Sequence, residues 1–134
     1  MNDKPFLDTN VILYAFRQDN TRSRTAETLL AAGGAISVQI LNEFVAVARR
    51  KLNKSWKEVR RALDILELLC PDPAPLTIET HRQAVQIAER YGYSIFDSLV
   101  IAGALRAGAS TLYSEDMRDS QTIEGLTIRN PFSR

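Results

Sequence analysis

The chain has 134 residues and a formal net charge of +1, with 45% hydrophobic and 25% charged residues. Those figures fit one ordinary globular domain, residues 1–134, and exclude a disordered or fibrous chain. No apolar run approaches the roughly 18 to 20 residues that cross a bilayer, and the opening stretch lacks the basic and apolar regions of a secretory signal. The single cysteine, Cys70, rules out an internal disulfide framework and suits a reducing cytoplasm, where the chain is expected. With one His and one Cys, a zinc site on soft ligands is also excluded within one chain. Any metal here would be held by oxygen.

Lys4 to Leu7 reads as a short buried strand ending at Asp8, after which Thr9-Asn10 can cap an apolar helix from Val11 to Phe16. A second helix, about Arg22 to Ala32, stops at the pair Gly33-Gly34. Ala35 to Val38 reads as a second strand and Gln39 to Leu52 as a third helix. Ser55 and Glu58 have capping-box spacing for a fourth helix that ends near Cys70. Trp56, Val59, Ala62, Leu63, Leu66 and Cys70 share one side of it, which makes Trp56 a packing residue and Cys70 an inert core thiol. Beyond the loop Pro71–Pro75 come helices from about Ile78 to Tyr91 and from Ile95 to Ala107, then strands at Thr111–Tyr113 and Leu126–Arg129. Short apolar strands alternating with helices predict a parallel sheet wrapped on both faces, a three-layer α/β/α domain. In such sheets the functional crevice lies outside the carboxyl ends of the strands.

The acids fall on that edge. Asp8 follows the first strand, and Asp116 lies three residues past the strand at Thr111–Tyr113. Glu43 sits at the border of the apolar arc of the third helix, and Asp97 in the opening turn of a largely apolar one. Each has an ordinary structural explanation: a helix cap for Asp8, a helix dipole for Asp97, an edge carboxylate for Glu43, a turn for Asp116. Together they do not, because uncompensated carboxylates brought close repel one another. A hard divalent cation, Mg²⁺ or Mn²⁺, resolves that repulsion and can clamp the attacking and leaving oxygens of a phosphodiester.

Phe6-Leu7-Asp8-Thr9-Asn10-Val11, Glu43, Phe96-Asp97-Ser98 and Leu112 to Met117, with the ending Asn130-Pro131-Phe132, together resemble the PIN-domain family across essentially the whole chain. The likeness is to the VapC-type ribonuclease toxins of bacterial toxin–antitoxin pairs. The resemblance implies a Rossmann-like central parallel sheet and a metal-dependent endoribonuclease acting on single-stranded RNA. The family's four acids map onto Asp8, Glu43, Asp97 and Asp116, its small hydroxyl residue onto Ser114, and a polar position near the metal onto Asn10. Glu115 and Asp119 remain as outer acids. Homodimerisation and an antitoxin whose tail covers the acidic pocket are implied as well.

In those roles Asp8, Asp97 and Asp116 would hold one or two Mg²⁺ (or Mn²⁺) ions, and Glu43 would orient or deprotonate a water. No His is needed as base, and His81 reads as a surface residue. From Arg49 to Arg61 there are seven basic residues against one acid, Glu58. On composition alone such a run is a solvated helical face. Beside a phosphodiester site, Arg49, Arg50 and Lys51 become candidate RNA contacts that add affinity without sequence choice.

Three other readings compete. A haloacid-dehalogenase-type phosphatase needs a second Asp where Asn10 stands, and a phospho-receiver needs an acidic pair that Asp3 does not supply. The rival of a different class is a catalytically silent PIN-like module that binds RNA or a protein. Such modules lose acids, whereas this chain keeps all four.

Overall fold

The computed structural model describes residues 3–17 and 21–132. Ten elements follow in chain order: β1 (Phe6–Leu7), α1 (Thr9–Ala15), α2 (Thr21–Ala31), α3 (Val38–Arg50), α4 (Trp56–Leu69), α5 (Ile78–Tyr91), α6 (Ile95–Arg106), β2 (Thr111–Tyr113), β3 (Thr122–Ile123) and β4 (Leu126–Arg129). The sheet order is β1-β2-β4-β3, with β1–β2 and β2–β4 parallel and β3 antiparallel to β4. The α/β class and the parallel core match the sequence expectation; the antiparallel edge is an addition. Strands β3 and β4 are joined by Glu124-Gly125, both with positive φ (49° and 89°). That is the backbone of the tight primed turn whose twist suits a hairpin.

The expected strand at Ala35–Val38 shrinks to two parallel single-residue bridges, Ala35 to Phe6 and Ser37 to Ala74. The cause is local. Ser37 already caps α3, its hydroxyl accepting from the Ile40 amide at 3.3 Å, so the chain leaves the extended state early. The first helix likewise starts at Thr9, two residues sooner than expected, because Asp8 rather than Thr9-Asn10 is its cap.

Consecutive residues of a strand point to opposite faces. Phe6 and Leu7 are both fully buried, so β1 is covered on both sides. In β2 and β4, Leu112, Leu126 and Ile128 are buried while Thr111, Tyr113 and Thr127 are half-buried, so one face there is only partly closed. Helix α6 is nearly all core, buried from Ser98 to Ala104. A Cβ at Gly103 would lie 3.4 Å from the Ser37 Cβ and 3.7 Å from the Phe6 ring, so this helix runs close beneath β1. Gly92 caps α5 in the left-handed region (φ 80°) and reverses the chain into α6. Cys70 is buried and its thiol is pushed up by that burial, as an inert core residue should be. Among the described residues no helix is long and apolar enough to cross a membrane.

One packing expectation fails. Trp56 is 52% exposed although it shares the helical side of buried Val59 and Leu66. It is the first residue of α4, just after the α3–α4 connection. One side of its ring is covered by the Arg49 guanidinium from the end of α3, 4.6 Å from the centroid.

Candidate active site

Parallel pairing fixes the first half of the site. Leu7 is in register with Tyr113, so Asp8 and Ser114 leave the sheet side by side. The Asp8 amide donates to the Tyr113 carbonyl at 3.0 Å and the Ser114 amide to the Arg129 carbonyl at 2.9 Å. The Ser114 hydroxyl donates to Asp8 Oδ2 at 2.8 Å and accepts from the Asp116 amide at 3.2 Å. Asp8 Oδ1 accepts from the Thr9 amide at 2.7 Å. One serine therefore ties the acid of β1 to the acid loop after β2.

Asn10 makes the second tie. Its Nδ2 donates to Asp116 Oδ2 at 3.1 Å, and its Oδ1 accepts from the Glu115 amide at 3.2 Å. One turn on, the Tyr14 hydroxyl donates to Glu115 Oε1 at 2.9 Å, and Arg22 Nε donates to Glu115 Oε2 at 2.7 Å. Glu115 is thus turned onto α1 and α2, away from the other acids. Asp119 accepts from the Asn130 amide at 2.9 Å and serves the chain ending instead of the site.

Glu43 is oriented through both oxygens. Thr9 Oγ1 donates to Oε1 and Gln39 Nε2 to Oε2, each at 2.8 Å. Asp97 has a different anchorage. Its amide donates to the Ser94 hydroxyl at 3.1 Å, so Ser94 caps α6 and the Asp97 carboxylate is not the cap.

An open cleft of about 690 Å³ collects these groups, lined among others by Thr9, Asn10, Gln39, Glu43, Lys51, Phe96, Asp97 and Asp116. Asp8 lies just beneath, 4% exposed. Its carboxyl is pushed up to about 7, mainly by burial. The Ser114 and Thr9 hydrogen bonds oppose that rise, and the negative charges of Glu43 and Asp97 add to it. Asp97 is also raised, by burial first and then by Glu43 and Asp116. Each of the four acids is therefore coupled to at least one other. A lone dipole-stabilised Asp97 would shift the other way, so repulsion and burial outweigh the helix N-terminus.

All six residues read from the sequence as catalytic or supporting meet here: Asp8, Asn10, Glu43, Asp97, Ser114 and Asp116. Of the three candidate RNA contacts, Lys51 lines the cleft, Arg50 is exposed, and Arg49 is engaged with Trp56 and the Lys54 carbonyl (2.8 Å). Thr9, Gln39 and the Tyr14–Arg22 pair escaped the sequence reading. Only Gln39 had a signal, its spacing of four residues from Glu43 on one helix. Among the described residues no group of three or more Asp, Glu, His or Cys side chains stands close enough together to hold a metal ion in this arrangement.

Comparison with known proteins agrees with this architecture. A search among curated proteins gives no match. A chain of a toxin–antitoxin complex from Klebsiella pneumoniae superposes with a TM-score of 0.74 at 19% identity, covering 97% of this chain and 99% of that one. A chain of VapBC2 from Rickettsia felis, bound to a promoter DNA fragment, gives 0.66 at 21% identity, covering 93% and 96%. The sarcin-ricin loop cleaving toxin VapC20 of Mycobacterium tuberculosis gives 0.61 at 20%, covering 83% and 88%. At these identities the likeness establishes the fold. The family model for the PIN domain matches residues 6–122, so the chain belongs to the PIN domain family.

Proposed function

We propose that this protein is a metal-dependent endoribonuclease that hydrolyses phosphodiester bonds of single-stranded RNA, and that it serves as the toxin of a toxin–antitoxin pair. The carrying observation is the coupled set Asp8, Glu43, Asp97 and Asp116 at the carboxyl edge of the sheet, with carboxyls of Asp8 and Asp97 raised by burial and mutual repulsion. The VapC-type likeness supports the biological role, since the solved relatives are toxin–antitoxin proteins and one is a loop-cleaving toxin. The cognate antitoxin and a homodimer belong to the same proposal, as does a cytoplasmic setting.

The donor set fits Mg²⁺ or Mn²⁺: oxygens only, clustered negative charge, and an open cleft that leaves room for waters. Asp8, Asp97 and Asp116 would hold the ion. When bound, it supplies a lowered pKa for a water and neutralises charge on the phosphate. The chain's own residues do the remainder. Glu43, fixed by Thr9 and Gln39, keeps lone pairs on both oxygens to orient and deprotonate the attacking water. Ser114 and Asn10 hold Asp8 and Asp116 at a constant spacing. Lys51, on the cleft wall, offers a cation to the phosphate backbone.

Purified protein, freed of any partner, should cut single-stranded RNA with Mg²⁺ or Mn²⁺ and stop in EDTA. Undiminished cutting in excess chelator would remove the metal from the mechanism. No cutting with either ion, despite tight RNA binding, would favour the silent module.

A further inference from the structure

We infer that Trp56 and Arg49 form a base-stacking platform for single-stranded RNA, a subsite beyond the acidic cleft that grips the substrate through its bases. The inference rests on the RNA-cleaving reading and adds to it a place and a chemistry.

Separate observations converge on this surface. Trp56 is a large aromatic left half in solvent at the start of α4. The Arg49 guanidinium lies against its ring, 4.6 Å from the centroid, and is itself held by the Lys54 carbonyl at 2.8 Å. The ring is thus braced from one side and keeps much of its surface open. A planar cation behind an indole polarises the ring and prepares it to take a base on its other side.

The surroundings suit a polyanion. Arg50, Lys51, Lys57 and Arg60 are exposed and enter no ion pair among the described residues. The single acid of this stretch, Glu58, closes the capping box of α4, its carboxylate accepting from the Ser55 amide at 2.9 Å, and is outnumbered by seven basic residues between Arg49 and Arg61. What faces solvent is therefore an aromatic ring set among unneutralised cations, the combination that holds single strands without sequence choice.

The platform and the cleft share helix α3. Helix α3 carries Glu43 into the site and is followed at its end by Lys51, its C-cap, which lines the same cleft. Eight residues of helix separate them, about 12 Å at 1.5 Å per residue. Arg49 stands two positions before Lys51 in the chain, so the platform and the cleft wall share the C-terminal end of α3. Phe96, 60% exposed on the cleft wall, offers a second aromatic surface beside Asp97.

Trp56 is the chain's only tryptophan, so its emission reports this spot alone. The test titrates full-length protein in EDTA with a 12-nucleotide oligoadenylate (length about one oligonucleotide site) and with an abasic ribose-phosphate oligomer of equal length. Oligoadenylate should quench the emission and the abasic oligomer should not. Trp56→Ala should weaken oligoadenylate binding about 5- to 150-fold, the value of one stacked base, and Trp56→Phe should recover part of it. Melting curves confirm that both variants fold. Equal quenching by both oligomers, or an unchanged affinity in Trp56→Ala, overturns the platform. Emission blind to RNA but altered by a protein partner assigns the surface to that partner and overturns it too. A wild-type protein that cuts RNA while Trp56 stays silent loses only the platform. One that neither binds nor cuts RNA loses the function proposal as well.

Discussion

Replacing Asp8 with Asn in the metal-free protein isolates the charge that the fold holds at greatest cost. In the unfolded chain this carboxyl titrates near 3.8, and in the folded protein near 7, because burial outweighs its two hydrogen bonds. The folded-state value is the higher one. The associated stability is therefore complete below about pH 3.8 and is lost as the pH rises through about 7. The whole gap is worth about 4 kcal/mol, at about 1.4 kcal/mol per decade. Between about pH 5 and pH 8 it amounts to about 2 to 3 kcal/mol, or on the order of 10 °C in melting temperature. Denaturant unfolding in EDTA, at fixed ionic strength and a series of pH values, should show wild type losing that much more stability than Asp8→Asn. The slope is the readout, not the offset at one pH. An amide facing the Ser114 hydroxyl changes that hydrogen bond by a constant amount at every pH. Magnesium should flatten the wild-type curve, because a cation binds the ionised carboxylate and releases its proton. Parallel curves for the two proteins in EDTA would refute the account of Asp8 as a buried, charge-crowded acid.

Asp97→Asn should melt above wild type at about pH 8 in EDTA and show a smaller upward shift when Mg²⁺ or Mn²⁺ is added; a lower melting temperature with the full metal shift would remove Asp97 from the cluster. Arg22→Met severs the ion pair with Glu115, so it should raise the Mg²⁺ concentration needed for half-maximal thermal stabilisation while metal-free melting barely moves. An unmoved midpoint would mean that the Tyr14–Arg22 contacts do not position Asp116. Changing Arg50 and Lys51 to Glu should reduce the log–log salt dependence of RNA binding by about 0.7 for each phosphate left without its cation, and an unchanged slope would return both residues to plain solvated surface.

The acids were legible because each stands where local pattern is strongest. Asp8 ends an apolar strand, Asp97 opens an apolar helix, and Asp116 follows a second strand by a fixed step. What stayed hidden depended on tertiary closure. Trp56 fits the apolar arc of α4 by angle, yet it is the first residue of that helix and stays half exposed, which periodicity alone does not reveal. Strand β3 is two residues long and its turn is Glu-Gly, without the Asn or Asp that usually announces a primed turn. The cap falls on Asp8, ahead of the expected Thr9-Asn10, and the same carboxylate serves two needs at once, its oxygens accepting from the Thr9 amide and from the Ser114 hydroxyl. The two anchors of Glu43 come from different places: Gln39 from its own helix, and Thr9 from a residue 34 positions away.

The bond from Ser114 to Asp8 spans 106 positions, and so does the bond from Asn10 to Asp116. Neither half of the chain contains a site. Asp8 and Asp116 are joined through Ser114 only where β2 lies beside β1, with β4 paired along the other edge of β2. A piece of the chain that lacks either half lacks two of the four acids, Asp8 and Glu43 or Asp97 and Asp116. Closure of the β1–β2 pairing and assembly of the acid cluster are thus the same event in this fold, and any agent that loosens that pairing parts Asp8 from the loop that carries Asp116.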